Sequence, residues 1–164
     1  MAPLDLTQEE LKRWVSYDPE TGMFSRLIFK GNCRPGDKIG GINHDGYVVI
    51  RVAGNKHMAH RLAWLYMYGK WPDKEIDHAN RNRADNRILN LREATRSENN
   101  QNSSPGTGSS GYMGAYPHGK KWKAKICVLG HQIYLGSFDD PETAHQAYME
   151  AKKKYHPMFT IGPK

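Results

Sequence analysis

The pattern of apolar and polar positions changes period several times along the chain. Near the start, Leu4, Leu11, Trp14 and Val15 recur at helical spacing, and Thr7 stands three residues before Glu10, the spacing of a capping box. A first helix is therefore expected, closed by the turn DPETG at 18–22. Short strands are expected in MFSRLIF (23–29) and GYVVIRV (46–52), with GNK (54–56) as a hairpin turn into a strand through His57. The run MAHRLAWLYMYGKW (58–71) predicts a buried helix, stopped near Gly69 with Pro72 beyond. Then the pattern turns polar. In EIDHANRNRADNRILNLREATRSENNQN (75–102) a short strand EID and a further helix starting near Thr95 or Ser97 are expected.

Residues 100–111, NQNSSPGTGSSG, hold almost nothing that could be buried and read as a flexible linker. The expected division is 1–99 with a motif-bearing core at 57–99, the linker, and a second module over 112–164. Within that module, GYMGAYP, KWKAKICVL (121–129) and QIYLGSF (132–138) read as three strands. Asp139 or Asp140 can cap a helix with Pro141 in its first turn. Ala144, Ala147, Tyr148 and Ala151 share one helical face, and Lys152 to Lys154 suit the C-terminal end of the helix dipole. Strand alternation puts Lys121, Lys123, Lys125 and Cys127 on one face and Trp122, Ala124, Ile126 and Val128 on the other. The fold class expected is α+β, as two modules on a tether.

Composition sharpens this picture. At 38% hydrophobic residues and a mean hydropathy of −0.79, 164 residues build modules with thin cores rather than one large one. No run approaches the roughly 18 apolar residues of a membrane span. MAPLDLTQEELKRW has no basic start followed by an apolar stretch, so neither a secretory leader nor a membrane partner is expected. Cys33 and Cys127 form no CxxC pair, which argues against a cysteine zinc site or a disulfide scaffold and makes a reducing cytoplasm the default. The formal charge is +7, which points to a polyanion. All ten arginines precede residue 100, and eight lysines follow it.

Chemistry concentrates in 75–99. Asp77 and His78 are adjacent, Asn90 follows twelve residues after His78, and Asn99 nine residues after Asn90. Phosphodiester hydrolysis needs a base for water, a cation at the scissile phosphate and positive charge along the backbone. A neutral histidine can be the base. Asp and Asn oxygens suit Mg²⁺, which takes one or two protein oxygens and completes its shell with water and phosphate. An Asn- and Arg-rich loop is most often simply solvated, and a lone Asp–His pair says little. Here the pair would close the strand EID, and the helix starting near Thr95 or Ser97 would carry Asn99 in its first turns.

From His60 to Asn102 the text HRLAWLYMYGKWPDKEIDHANRNRADNRILNLREATRSENNQN resembles the HNH endonucleases, in particular those of phage and intron homing type. The resemblance implies a ββα-metal nuclease in which Asp77 is a metal ligand and His78 the general base. Asn90 would hold the loop and orient the base strand, and Asn99 would be the second ligand, with Asn100 as its rival in register. It implies one Mg²⁺ or Mn²⁺ per site rather than zinc. YDPETG and GYVVI resemble the leader of such phage proteins, without assigning chemistry to it. His57 and His60 would pack or touch phosphate. Arg61 would reach a phosphate or pair with Asp73 or Glu75, and Arg81, Arg83 and Arg87 would hold duplex DNA.

GKKWKAKI, IYLGSFDDPETAHQAYMEA and KKKYH resemble the plant ethylene-response-factor type of DNA-binding domain, which is also found fused to phage HNH nucleases. The resemblance covers nearly all of 112–156 and implies DNA contacts from Tyr116, Lys121, Trp122, Lys123, Lys125 and Tyr134. Trp122 matches a family tryptophan and Tyr134 replaces another. The family's arginines are absent, with Met113, Tyr116, Cys127 and Gln132 near those positions. Lysine gives point-charge contacts to phosphate, whereas arginine gives bidentate guanine readout, so affinity with modest base specificity is expected.

The combined expectation is a metal-dependent HNH DNA endonuclease of homing or nicking type, acting on double-stranded DNA without a small-molecule cofactor. If it is phage-encoded, it would work in the cytoplasm of a bacterial host. The alternative is a non-cleaving DNA-binding or regulatory protein on a degenerate nuclease fold. An RNA- or ribosome-binding protein would explain the charge but not the Asp–His, Asn, Asn spacing.

Overall fold

The computed structural model describes residues 6–32, 34–102 and 108–159. Leu4, Cys33 and linker residues 103–107 lie outside the described residues. The chain divides between Arg96 and Ser97 into two units, each of helices and small antiparallel sheets, so the fold is α+β.

In the first unit, α1 (Gln8–Trp14) starts with the expected capping box. The Glu10 N–H donates to Thr7 Oγ1 at 3.2 Å, and the Thr7 N–H donates to Glu10 Oε2 at 3.1 Å. Val15, expected on the helix, is extended and opens β1 (Val15–Asp18). The DPETG turn leads into β2 (Met23–Arg26), and β3 (Lys38–Ile39) completes a sheet in the order β1-β2-β3. The strand expected over 23–29 stops at Arg26 because β3 pairs with Phe24 and Ser25 alone, and Leu27, Ile28 and Phe29 are left exposed. A second sheet joins β4 (Gly41–Ile42), β5 (Val48–Val52) and β6 (Asn55–Met58). Helix α2 (Ala59–Tyr68) follows at once and ends at Gly69, whose φ of 76° is the left-handed cap that favours glycine. Leu11, Val15, Phe24, Ile50, Val52, Leu62 and Leu65 form the core. Behind it runs the hairpin of β7 (Glu75–His78) and β8 (Leu91–Ala94), closed by a loop that ends in a one-turn 3-10 helix, Ile88–Asn90.

Helix α3 (Arg96–Asn102) spans the division between the units. Asn100 to Asn102, expected in the linker, are thus helical, and Asn102 is buried. The polar run does not begin as a tether; its first residues complete a helix.

The second unit orders β9 (Ala115–His118), β10 (Lys121–Val128) and β11 (His131–Phe138) with β10 central. The register shifts between Ala124↔Gly136 and Lys125↔Tyr134, so Leu135 is the extra residue of a bulge. Helix α4 (Pro141–Tyr155) is capped by Asp140, whose Oδ1 accepts from the Thr143 N–H at 2.8 Å. Ala144, Tyr148 and Ala151 bury against Ala115, Ala124 and Ile126. The fit is close: a Cβ at Gly114 would overlap the Tyr148 ring. Lys152 stands in the last turn of the helix, as expected, and is 1% exposed. It stands four residues after Tyr148, so it falls on the packed face, with Nζ 4.4 Å from the Phe159 ring centroid and 3.9 Å from Met113 Sδ.

Candidate active site at the end of the β7–β8 hairpin

Glu75, Ile76, Asp77 and His78 pair in register with Ala94, Glu93, Arg92 and Leu91. The hairpin therefore brings Arg92 directly across from Asp77. Arg92 Nε donates to Asp77 Oδ2 at 2.8 Å, and its Nη2 lies 2.7 Å from the same oxygen. The Asp77 side chain is 6% exposed, and the guanidinium supplies the countercharge that a buried carboxylate needs.

His78 is buried beside it. Its Nε2 lies 3.5 Å from Asn86 Oδ1, the His60 ring stands edge-on at 5.1 Å, and the Tyr47 ring lies at 5.9 Å. Burial lowers the His78 pKa below its ordinary value, against the opposing pull of Asn86 and Asp77. A ring kept neutral at neutral pH is the form that can accept a proton. His60 is pushed down to about 3, by burial first and then by the nearby His78 and Arg61, and its Nδ1 is buried without a hydrogen-bond partner. His60 thus packs beside His78. His57, also lowered by burial, stacks on Trp71 at 5.7 Å.

Asn90 sits where the loop closes. Its Oδ1 accepts from the Asn80 N–H at 2.9 Å, and its Nδ2 donates to the Asp85 carbonyl at 2.8 Å. Its own carbonyl accepts from the Ala79 N–H at 2.8 Å. One side chain thus holds the loop at Asn80 and at Asp85, just beyond the strand that carries His78.

The loop arginines are spread around this point. Arg81, at φ 64°, bonds its N–H to the His78 carbonyl at 2.8 Å. Arg83 Nη1 donates to the Asp45 carbonyl at 2.9 Å, and its guanidinium lies over Tyr47 at 4.9 Å. Arg87 grips Asp85 through Nε at 2.8 Å and Nη2 at 2.6 Å, which holds that carboxyl below its usual range. Arg61 lies over the Trp71 ring at 5.7 Å, while Asp73, one of its expected partners, takes Lys70 at 3.0 Å.

Asn99 is half-buried on α3 and Asn100 is exposed. Both fall in the second unit, after the division at Ser97, whereas Asp77 and His78 belong to the first. Among the described residues no three His, Cys, Asp or Glu side chains cluster as a ligand set. A carboxylate such as that of Asp77, completed by water and phosphate, is oxygen-donor chemistry that suits a hard divalent ion such as Mg²⁺.

On the second unit, the exposed sheet face carries the pairs Lys121↔His118, Lys123↔Tyr116, Lys125↔Tyr134 and Cys127↔Gln132. Lys125 Nζ lies 5.4 Å from the Tyr116 ring centroid and donates to Gln132 Oε1 at 3.1 Å; Lys121 pairs with Asp139 at 3.1 Å. Trp122 does not join this face. It packs against the core beneath the sheet, as strand alternation requires.

Asn86 and Arg92 are the residues that sequence reasoning passed over at the site. Asn86 carries no motif signal of its own in the sequence. Arg92 had a signal in the NLR run, but its partner follows only from the hairpin register.

Residues 57–101 match the family model described as HNH endonuclease, which spans β6 through α3. Among solved structures, the chain is similar to the HNH homing endonuclease I-HmuI, described as DNA binding and cleavage by that enzyme. The two are 24% identical with a TM-score of 0.43, over 54% of this chain and 51% of that one. The chain thus spans about half the length of that enzyme. No protein of curated function matches it.

Proposed function

We propose that the chain is a metal-dependent DNA endonuclease of HNH type, homing or nicking, that hydrolyses phosphodiester bonds in double-stranded DNA. The observation that carries this reading is the loop closure by Asn90. A buried, neutral-leaning histidine beside a buried carboxylate is held on a strand whose following loop one asparagine ties at both ends. A merely solvated loop has no need of that.

His78 takes the proton of the attacking water. Asp77 and Asn99, with Asn100 as the alternative, hold one Mg²⁺ or Mn²⁺. That ion, when bound, neutralises charge developing on the phosphate and leaving oxygen. Asn90 fixes the strand and loop. Arg81, Arg83 and Arg87 face phosphates, and Arg83 and Arg87 must exchange or share their present carbonyl and carboxylate partners to do so. The second unit serves as an ethylene-response-factor-like DNA module, with Lys121, Lys123, Lys125, Tyr116 and Tyr134 toward the duplex and Trp122 in its core. If the source is a phage, the work is done in the host cytoplasm.

The test is nicking of supercoiled plasmid by the full chain with Mg²⁺, Mn²⁺ or chelator. Cleavage that needs the ion and is lost in His78→Ala supports the reading. DNA binding without cleavage under every ion returns the protein to the non-cleaving alternative.

A further inference from the structure

The DPETG turn is built against the loop that follows His78. Tyr17, in β1, is buried, and its hydroxyl donates to the Asn86 carbonyl at 2.7 Å. Two residues on, the Pro19 carbonyl accepts from the Ile88 N–H at 3.2 Å. Gly22, at φ 72°, comes so close that a Cβ there would stand 2.5 Å from Arg87 N and 2.5 Å from the Asn86 carbonyl carbon. Three separate points of residues 17–22 thus bear on the backbone of 86–88.

The bearing surface is itself fixed. The Asp18 carboxylate accepts from the Glu20 N–H at 2.9 Å and from the Thr21 hydroxyl at 2.7 Å, and the Asp18 carbonyl accepts from the Gly22 N–H at 2.8 Å. The Tyr17 ring is held between Phe24 at 4.7 Å and Tyr66 at 5.6 Å.

Asn86 connects this support to the base. Its Nδ2 donates to the Ala84 carbonyl at 3.0 Å, which sets the direction of the amide and turns Oδ1 onto His78 Nε2 at 3.5 Å. A contact at that length is at the long limit of a hydrogen bond. A shift of a few tenths of an ångström in the Asn86 backbone decides whether it forms.

We propose that Tyr17 and Asn86 are positioning residues. The β1 hydroxyl and the DPETG turn fix the Asn86 backbone, and Asn86 fixes the ring of His78. This rests on the reading of His78 as general base. It gives the leader segment a part in the reaction that requires no contact with DNA. It also explains a glycine at 22, where any side chain would push the loop.

The experiment uses the full chain and the variants Tyr17→Phe, Asn86→Ala and the double variant. Tyr17→Phe keeps the ring packing and deletes one donor, so the fold survives. With Mn²⁺ and plasmid DNA, Tyr17→Phe should lower kcat about tenfold, in line with the cost of misplacing a reacting group, and leave KM within twofold. The double variant should be no slower than Asn86→Ala, since both changes break one chain of contacts. The nitrogen-15 signals of the His78 ring should shift in both single variants, with or without cleavage. Parental kcat in Tyr17→Phe, additive losses in the double variant, or an unmoved His78 ring overturns the proposal. A parent that never nicks, with a His78 ring that still moves in Tyr17→Phe, leaves the positioning intact and removes the nuclease reading instead.

Discussion

Arg92 sets two donors on one oxygen of Asp77, Nε at 2.8 Å and Nη2 at 2.7 Å, across the β7–β8 hairpin. The carboxylate proposed to hold a metal ion is therefore already neutralised by a residue of the chain. Any cation arriving at Asp77 competes with that guanidinium.

This competition has a measurable sign. Arg92→Gln should bind Mn²⁺ several-fold more tightly than the parent in the absence of DNA, read by the electron paramagnetic resonance of free Mn²⁺. Arg92→Lys keeps the charge and should stay near the parent, and Asp77→Asn should lose the binding. Removing one partner of a largely buried pair also costs about 1–3 kcal/mol of stability, at the lower end because the Arg92 side chain is 27% exposed. Equal Mn²⁺ affinity in Arg92→Gln would show that the arginine is no rival to the ion.

In cleavage, Asp77→Ala should be more damaging than Asn99→Ala, because under the proposal it would remove the one charged donor to the ion, whereas Asn99 would supply a neutral oxygen. Activity should return with Mg²⁺ or Mn²⁺ and not preferentially with Zn²⁺, since the proposed donors are oxygens and His78 must stay available to take a proton. A metal-titrated nicking rate for the parent and both variants decides it. A zinc-requiring parent would sink the assignment.

Stability should fall in acid because of His60. Its pKa is about 3 in the folded protein against 6.5 as the ordinary value. Between those limits the unfolded chain binds the extra proton, so the folded state loses up to about 1.4 kcal/mol per pH unit as pH drops below 6.5. His78, shifted in the same direction by burial, adds to the trend. His60→Phe keeps a ring beside His78 and removes the titration. Its acid-unfolding midpoint, followed by circular dichroism, should lie at lower pH than the parent's. An unchanged or higher midpoint would mean that His60 does not control the acid limb.

Much of the candidate site was legible because it is local. Asp77 and His78 are neighbours, and the work of Asn90 is confined to a loop that begins one residue after His78. What was not legible depends on distance or register. Tyr17 and Asn86 are 69 residues apart, and Arg92 faces Asp77 only once the hairpin pairing is known. Two burials lay within reach of periodicity. Alternation had already put Trp122 on the core side of β10, and Lys152, four residues after Tyr148, shares its buried face. The end of α1 and the short strand β2 were set instead by backbone pairing that apolar spacing does not report.

The lysine face of the second unit makes the last prediction. Lys123 and Lys125 stand opposite Tyr116 and Tyr134 on the exposed side of the sheet, and among the described residues no arginine lies beside them. An ammonium group on a flexible stem contacts phosphate as a point charge and does not read a base edge bidentately. Each phosphate contact releases counterions worth roughly 0.9 in the slope of log affinity against log salt. The double variant Lys123→Ala/Lys125→Ala should therefore bind duplex DNA more weakly with a slope shallower by about two, to the same degree on unrelated sequences. Lys121→Ala should cost less, since Asp139 already engages that ammonium at 3.1 Å. Fluorescence anisotropy over a range of salt concentrations on two unrelated duplexes measures both effects. A loss confined to one duplex would assign base readout to this face, and an unchanged slope would take it off the DNA altogether.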